Sequence, residues 1–305
     1  MKLLLLLSTT LLLVACSRPA DTVPPREEPA AAPGSAAEPA APTEERLEEV
    51  LAAQPEELRA RYDDRHPRET LEFFGLEPGM TVVEALPGGG WYTKILLSWL
   101  GPDGHVIGAD YALEMFPLFG FFTDQQIADK ETWVADWTAR AEEWRGDDGP
   151  AISAFVLGSV PDAMKGTADA FLFIRALHNL ARFEGQGGFL SAAIADAWSV
   201  LRPGGVVGVV QHEAPADASD EWADGSAGYL KKAFVIEQFQ AAGFELVAES
   251  GINAKPADRP TSDDVVWRLP PTLATSRDDP ELRRAMQDIG ESNRMTLKFR
   301  KPPTH

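Results

Sequence analysis

The run Glu84-Ala85-Leu86-Pro87-Gly88-Gly89-Gly90 closes a β-branched stretch, Thr81-Val82-Val83, with three consecutive glycines. Glycine serves where a ligand comes close to the backbone, because a β-carbon there would collide. Twenty residues after Gly90, Asp110 ends a second apolar run that begins at His105. A carboxylate at such a strand end can accept two hydrogen bonds from ribose hydroxyls, which points to an adenosine-type ligand. The same residues also fit a plainer arrangement, a tight strand-to-helix turn followed by a helix-capping aspartate. Glycine loops and strand-end acids are each common; their occurrence on successive strands is the more specific signal.

Other phosphate and nucleophile signatures are missing. A nicotinamide-dinucleotide fingerprint asks for a glycine three residues after Gly90, where Thr93 stands. Lys94 follows no Gly-Lys-Ser/Thr signal, and Asp224-Gly225-Ser226-Ala227-Gly228 is one glycine short of a hydrolase elbow.

Polar residues leave two further apolar runs. Arg175, His178 and Asn179 follow Asp169–Ile174, and His212-Glu213 follows Val206–Gln211. His178 has the intrinsic pKa of a base near neutrality, and is equally read as a histidine at a strand–loop junction. For His212-Glu213 an ordinary polar pair leaving a strand is the plainer reading. Arg175 suits either a ligand carboxylate or a structural acid. Trp133, Trp137 and Trp144 fall on one helical face as core or as a pocket wall, and the four phenylalanines within 115–122 suit core packing or a cover for a bound base.

The elements needed to position these residues alternate along the chain. Strands are expected over Thr81–Ala85, His105–Asp110, Ile152–Leu157, Asp169–Ile174, Val206–Gln211, Phe244–Ala248 and Met295–Arg300. Helices are expected over Thr43–Arg61, Trp91–Leu100, much of the region up to Trp144, Phe189–Leu201 and Tyr229–Ala242, with an extended Pro-rich insertion over Asn253–Asn293. Nearly all-apolar strands alternating with helices indicate an α/β fold, a doubly wound, Rossmann-like sheet of about seven strands, mostly parallel and covered on both faces. Ligands of such sheets sit at the carboxyl ends of the strands, where strand order reverses.

Composition narrows the function classes. The 305 residues include 28 Lys+Arg against 47 Asp+Glu, a formal charge of −19, which disfavours nucleic acid as a partner. One cysteine and five scattered histidines provide neither a disulfide framework nor metal-ligand spacing. Lys2 and the apolar run Leu3–Val14 read as an export signal over 1–15, too short for a membrane span of roughly 20 residues. Residues 17–45, of which fifteen are Pro or Ala, form an expected tether. What remains, 46–305, reads as one domain.

Two resemblances add to this reading. Leu13-Val14-Ala15-Cys16 resembles the lipobox of bacterial lipoproteins, in which the signal is cut before the cysteine and Cys16 carries the acyl chains. Ser17 in place of aspartate implies sorting to the outer membrane, facing the periplasm, with the lipid anchor as the only membrane contact. The region from about 60 to 302 resembles the class I S-adenosylmethionine-dependent methyltransferases, and most closely a bacterial subgroup with Pro-Gly-Gly-Gly-Trp-Tyr-Thr, here Pro87–Thr93. Asp169, Leu201-Arg202-Pro203-Gly204-Gly205 and the final strand, which would run antiparallel, match further family patterns.

That resemblance implies S-adenosylmethionine as cofactor, held by Glu84, Gly88, Gly89, Gly90 and Asp110, with Ser159 near the adenine and Arg175 near the carboxyl group. It implies a small-molecule acceptor beside His178, Asn179 and His212, and makes Asp64, Arg65, His66 and Arg68 either a lid or a solvated helix surface. The chain departs from the family at Leu86-Pro87, where glycine is usual after the first acid, and at Gly158-Ser159, where an acid is usual. Two functions follow: a methyltransferase, or a non-catalytic ligand-binding envelope lipoprotein on the same fold. Export and an S-adenosylmethionine site pull against each other.

Overall fold

The computed structural model describes residues 43–303. The export segment 1–15, Cys16 and the tether up to residue 42 lie outside the described residues; positions 43–45 already belong to the helix Thr43–Ala52.

Seven strands form one sheet: β1 (Thr81–Ala85), β2 (His105–Asp110), β3 (Ala151–Val156), β4 (Ala168–Ile174), β5 (Leu201–His212), β6 (Glu245–Ser250) and β7 (Arg294–Arg300). Their order is β3-β2-β1-β4-β5-β7-β6. Strands β1 to β5 pair in parallel, and β7 runs antiparallel to both β5 and β6, so the expected antiparallel last strand is present. The apolar runs explain the two-sided cover. In β4, Phe171 and Phe173 face one layer while Ala170, Leu172 and Ile174 face the other, the period of two that a strand imposes. One layer comprises the helices Leu177–Arg182, Phe189–Val200 and Lys232–Ala241; the opposite one comprises Thr43–Ala52, Pro67–Phe74, Trp91–Leu100 and Trp133–Trp144. Gly108 of β2 gives Trp137 a flat seat, since a β-carbon there would lie 2.8 Å from the indole ring.

Several boundaries differ from the sequence expectation for local reasons. The helix expected over Thr43–Arg61 breaks at Pro55, which has no amide to donate, and resumes as a single turn, Glu56–Arg59. The helix expected over Phe189–Leu201 ends at Val200, and Leu201 opens β5. The pairing jumps from Ala168↔Leu201 to Ala170↔Val206, looping out Arg202–Gly205, and the amide of Gly204 donates to Lys301 O. The helix expected from Tyr229 starts only at Lys232. Leu230 is held before it, donating to His212 O and accepting from the amide of Ala214. The Pro-rich insertion is not wholly extended: it contains the helix Pro280–Ile289, whose first amides bond the Asp279 carboxylate. Asp-Pro-Glu is a helix start that the sequence does contain.

Candidate functional site

The chain leaves β1 toward β2 on one side and β4 toward β5 on the other, so β1 and β4 mark the switch point of the sheet. Three cavities lie along this carboxyl edge, and six of the expected site residues line them: Gly88 and Asp110 in one, Arg175, His178 and His212 in another, and Ser159 in the last.

The first, about 410 Å³, is lined by Gly88 from the loop after β1, by Asp110, and by Lys130, Trp133, Trp137 and Arg140 among others. Ala85 pairs with Ala109 and the amide of Leu86 bonds Ala109 O at 2.7 Å, which sets the glycine loop beside Asp110. Asp110 is 8% exposed. Burial raises its pKa, opposed by Lys130, whose ammonium lies 3.4 Å from Oδ2. A β-carbon on Gly89 would meet nothing within 4 Å, and one on Gly88 only Leu86 O at 3.9 Å. The loop therefore borders open space that a ligand can fill. Gly90 differs: its φ is +79°, and a β-carbon there would collide with the indole of Trp144. Helix packing thus accounts for the third glycine. Glu84 is also turned inward, 4% exposed, accepting a 2.6 Å bond from Thr93 Oγ1. Burial pushes its carboxyl up to about 7, against the bond from Thr93 and the field of Arg175. Glu84 braces the loop from beneath.

The second cavity, about 210 Å³, lies at the switch point between Leu86, Ile174 and Arg175, His178, His212, and the segments Val266–Thr272 and Glu291-Ser292. It brings together Arg175, His178 and His212 as expected. The two imidazoles stand 5.5 Å apart by ring centroid. His212 Nδ1 is 2.6 Å from Ser292 Oγ, while Gln211 takes the Leu177 amide on its oxygen and reaches His178 Nδ1 at 3.5 Å. Burial drives the pKa of His178 down to about 4; the bond from Gln211 opposes this, and Arg175 and Arg182 add to it. Burial, His178 and the nearby arginines hold His212 well below its ordinary value. Burial therefore favours the uncharged form of both rings.

The third cavity, about 480 Å³, contains Gly158 and Ser159 beyond β3, with Ala112, Leu118 and Leu157. Asp196 anchors that strand end through the amide of Gly158 at 2.5 Å. Asn179 does not join the histidines. Its side-chain amide donates to the Tyr111 hydroxyl at 3.0 Å, so it supports the residue that follows Asp110. Of the aromatic helix face, Trp137 is core at 2% exposure, Trp133 stacks on it at 5.7 Å, and Trp144 covers Gly90.

Glu291 is the residue the sequence did not reveal. Arg61, Arg65 and Arg294 all pair with it, Arg65 Nε at 2.9 Å and Arg294 Nη1 at 3.1 Å, and Arg175 Nη1 stands 3.9 Å away. Arg65 is 4% exposed, so it is neither a solvated helix surface nor a free lid. The usable signal was topological. An antiparallel strand begins at the edge where its parallel neighbours end, and Glu291 precedes β7 by three residues.

No protein-family model matches the chain, and no curated protein matches it. Solved structures with a similar fold include a chain of the Haloferax volcanii complex containing the Trm112 methyltransferase activator, 15% identical, covering 87% of this chain and 99% of that one, TM-score 0.49. The cyclase SpnF is 18% identical over 79% of this chain and 81% of its own, TM-score 0.48. A SAM-dependent methyltransferase from Aquifex aeolicus is 13% identical over 84% of this chain and 98% of its own, TM-score 0.47.

Proposed function

We propose that the chain is an S-adenosylmethionine-dependent methyltransferase acting on a small molecule. The observation that carries this reading is the shared cleft of Gly88 and Asp110. An open loop whose glycines leave room for a ligand faces a strand-end carboxylate that can accept both ribose hydroxyls. The bound cofactor would supply a methyl group on a sulfonium. The chain's own residues would bind its ribose at Asp110, let the glycine loop approach it at Gly88 and Gly89, and brace that loop through Glu84 and Thr93. Ser159 lines a separate cavity beyond β3, where it would donate one hydrogen bond to a base. His178 and His212 line the cavity at the switch point, where their uncharged rings would accept a hydrogen bond from an acceptor and orient it for transfer; burial makes both weak bases. Calorimetry of the full-length chain with S-adenosylmethionine and S-adenosylhomocysteine tests the reading. No heat up to high micromolar ligand would sink it and leave a non-catalytic binding protein.

We also propose that Cys16 is acylated and anchors the domain in the cell envelope, at the outer membrane, facing the periplasm. Burial of acyl chains at ~0.8 kcal/mol per CH₂ makes a multiply acylated terminus a firm anchor. The net charge of −19 argues against further docking on an anionic surface. Cys16→Ser should release the protein from membranes on fractionation; continued pelleting with them would refute the anchor.

A further inference from the structure

The cavity at the switch point is backed by more positive charge than its own acids neutralise. Arg61, Arg65, Arg175 and Arg294 converge there on the single carboxylate of Glu291. Asp64 adds nothing to the balance, because Lys255 Nζ pairs with it at 2.8 Å. Glu84 lies in the field of Arg175 but is bonded to Thr93. Four guanidinium groups against Glu291 and Glu84 leave two positive charges even with both acids ionised. His178 and His212 add no negative charge.

Arg175 is the member of this group that lines the cavity. It sits just after β4 with φ +57°, a conformation that costs a non-glycine residue energy. Its Nε is buried with no hydrogen-bond partner, and its Nη1 reaches Glu291 only at 3.9 Å. A buried unsatisfied donor on a charged group is expensive, so an incoming acceptor oxygen is favoured there. The wall is mixed: His178, His212, Thr272, Ser292 and Glu291, the carboxylate already shared among the arginines, supply its polar part, and Leu86, Val266, Trp267 and Leu269 supply an apolar face. A volume of about 210 Å³ suits a small molecule.

We propose that this cavity is the acceptor pocket and that it takes a small carboxylic acid, with the carboxylate on Arg175 and the apolar body against Trp267 and Leu86. A guanidinium fork matches a carboxylate with two parallel hydrogen bonds. The word acceptor rests on the methyltransferase reading; the carboxylate site does not.

The probe is benzoate, with neutral benzamide as its isostere, titrated calorimetrically into the full-length chain with and without saturating S-adenosylhomocysteine. Benzoate should bind at least tenfold more tightly than benzamide. Arg175→Met should remove that difference while benzamide binding stays within twofold, and Arg175→Lys, which keeps the charge and loses the fork, should fall between. Removing one charge from an over-positive cluster does not threaten the fold, and a thermal midpoint checks this. Benzoate affinity unchanged by S-adenosylhomocysteine supports the acceptor assignment. Mutual exclusion of the two would assign Arg175 to the cofactor's own carboxylate and overturn it. Equal binding of benzoate and benzamide, no benzoate binding, or no effect of Arg175→Met also overturns it. A chain that binds benzoate but not S-adenosylhomocysteine keeps the carboxylate site and loses the methyltransferase reading.

Discussion

The indole of Trp144 occupies the space that a β-carbon on Gly90 would need. The neighbouring Gly89 faces open space, so two adjacent glycines answer to different demands. Gly90→Ala combines this collision with a φ of +79° and should cost about 2–4 kcal/mol of stability. Gly89→Ala should leave the urea midpoint within error and weaken S-adenosylhomocysteine binding, because only the ligand contests that space. Equal loss of stability in both variants would contradict this division.

Asp110 already shares its carboxylate with Lys130 at 3.4 Å, yet it remains the acid that faces the glycine loop. A hydrogen bond to a charged group contributes about 1.5–3 kcal/mol. Asp110→Ala should therefore weaken S-adenosylhomocysteine on the order of 10- to 100-fold in calorimetry while circular dichroism stays unchanged. Unaltered affinity would remove Asp110 from the ribose.

Glu291 is 4% exposed and holds four arginines near one another. Glu291→Gln keeps the shape but leaves their charges uncompensated, at a cost of about 3–5 kcal/mol typical of a broken buried pair. Chemical denaturation in low and high salt checks this. Salt should recover little of the loss, since buried charges are poorly screened.

Two buried groups give stability opposite pH slopes. Burial raises Glu84 to about 7, so the folded chain binds its proton more tightly than the unfolded chain. Its contribution is full below the unfolded carboxyl value, falls as pH rises, and has been lost by about 7, roughly 3 kcal/mol in all. His178, lowered to about 4, behaves in reverse. Its contribution is full above the unfolded value near 6.5 and is lost as pH falls toward 4. Glu84→Gln should thus be more stable than the parent chain at pH 8, and His178→Gln should soften the loss on acidification. Urea midpoints between pH 4.5 and 8 test both; a Glu84→Gln curve parallel to the parent would show that this carboxyl does not titrate in the window.

The strands β1, β2 and β4, the glycine loop and Asp110 were all legible from local sequence, because apolar runs closed by glycine or a polar residue determine where a buried strand ends. Chain order then placed Arg175, His178 and His212 on one edge, and the structure confirms that they line one cavity. Pairings across long sequence separations were not legible. Only the fold brings Glu291 to Arg61 and Arg65, more than two hundred residues earlier, or turns Asn179 toward Tyr111. Gly90 and Gly89 are the same letter, and only the position of Trp144 tells one from the other. Periodicity and turn chemistry are local properties of a chain, so sequence determined the strands and the loops that close them. Charge balance and the shape of a cavity are sums over residues that meet only in three dimensions, and those the tertiary structure decided.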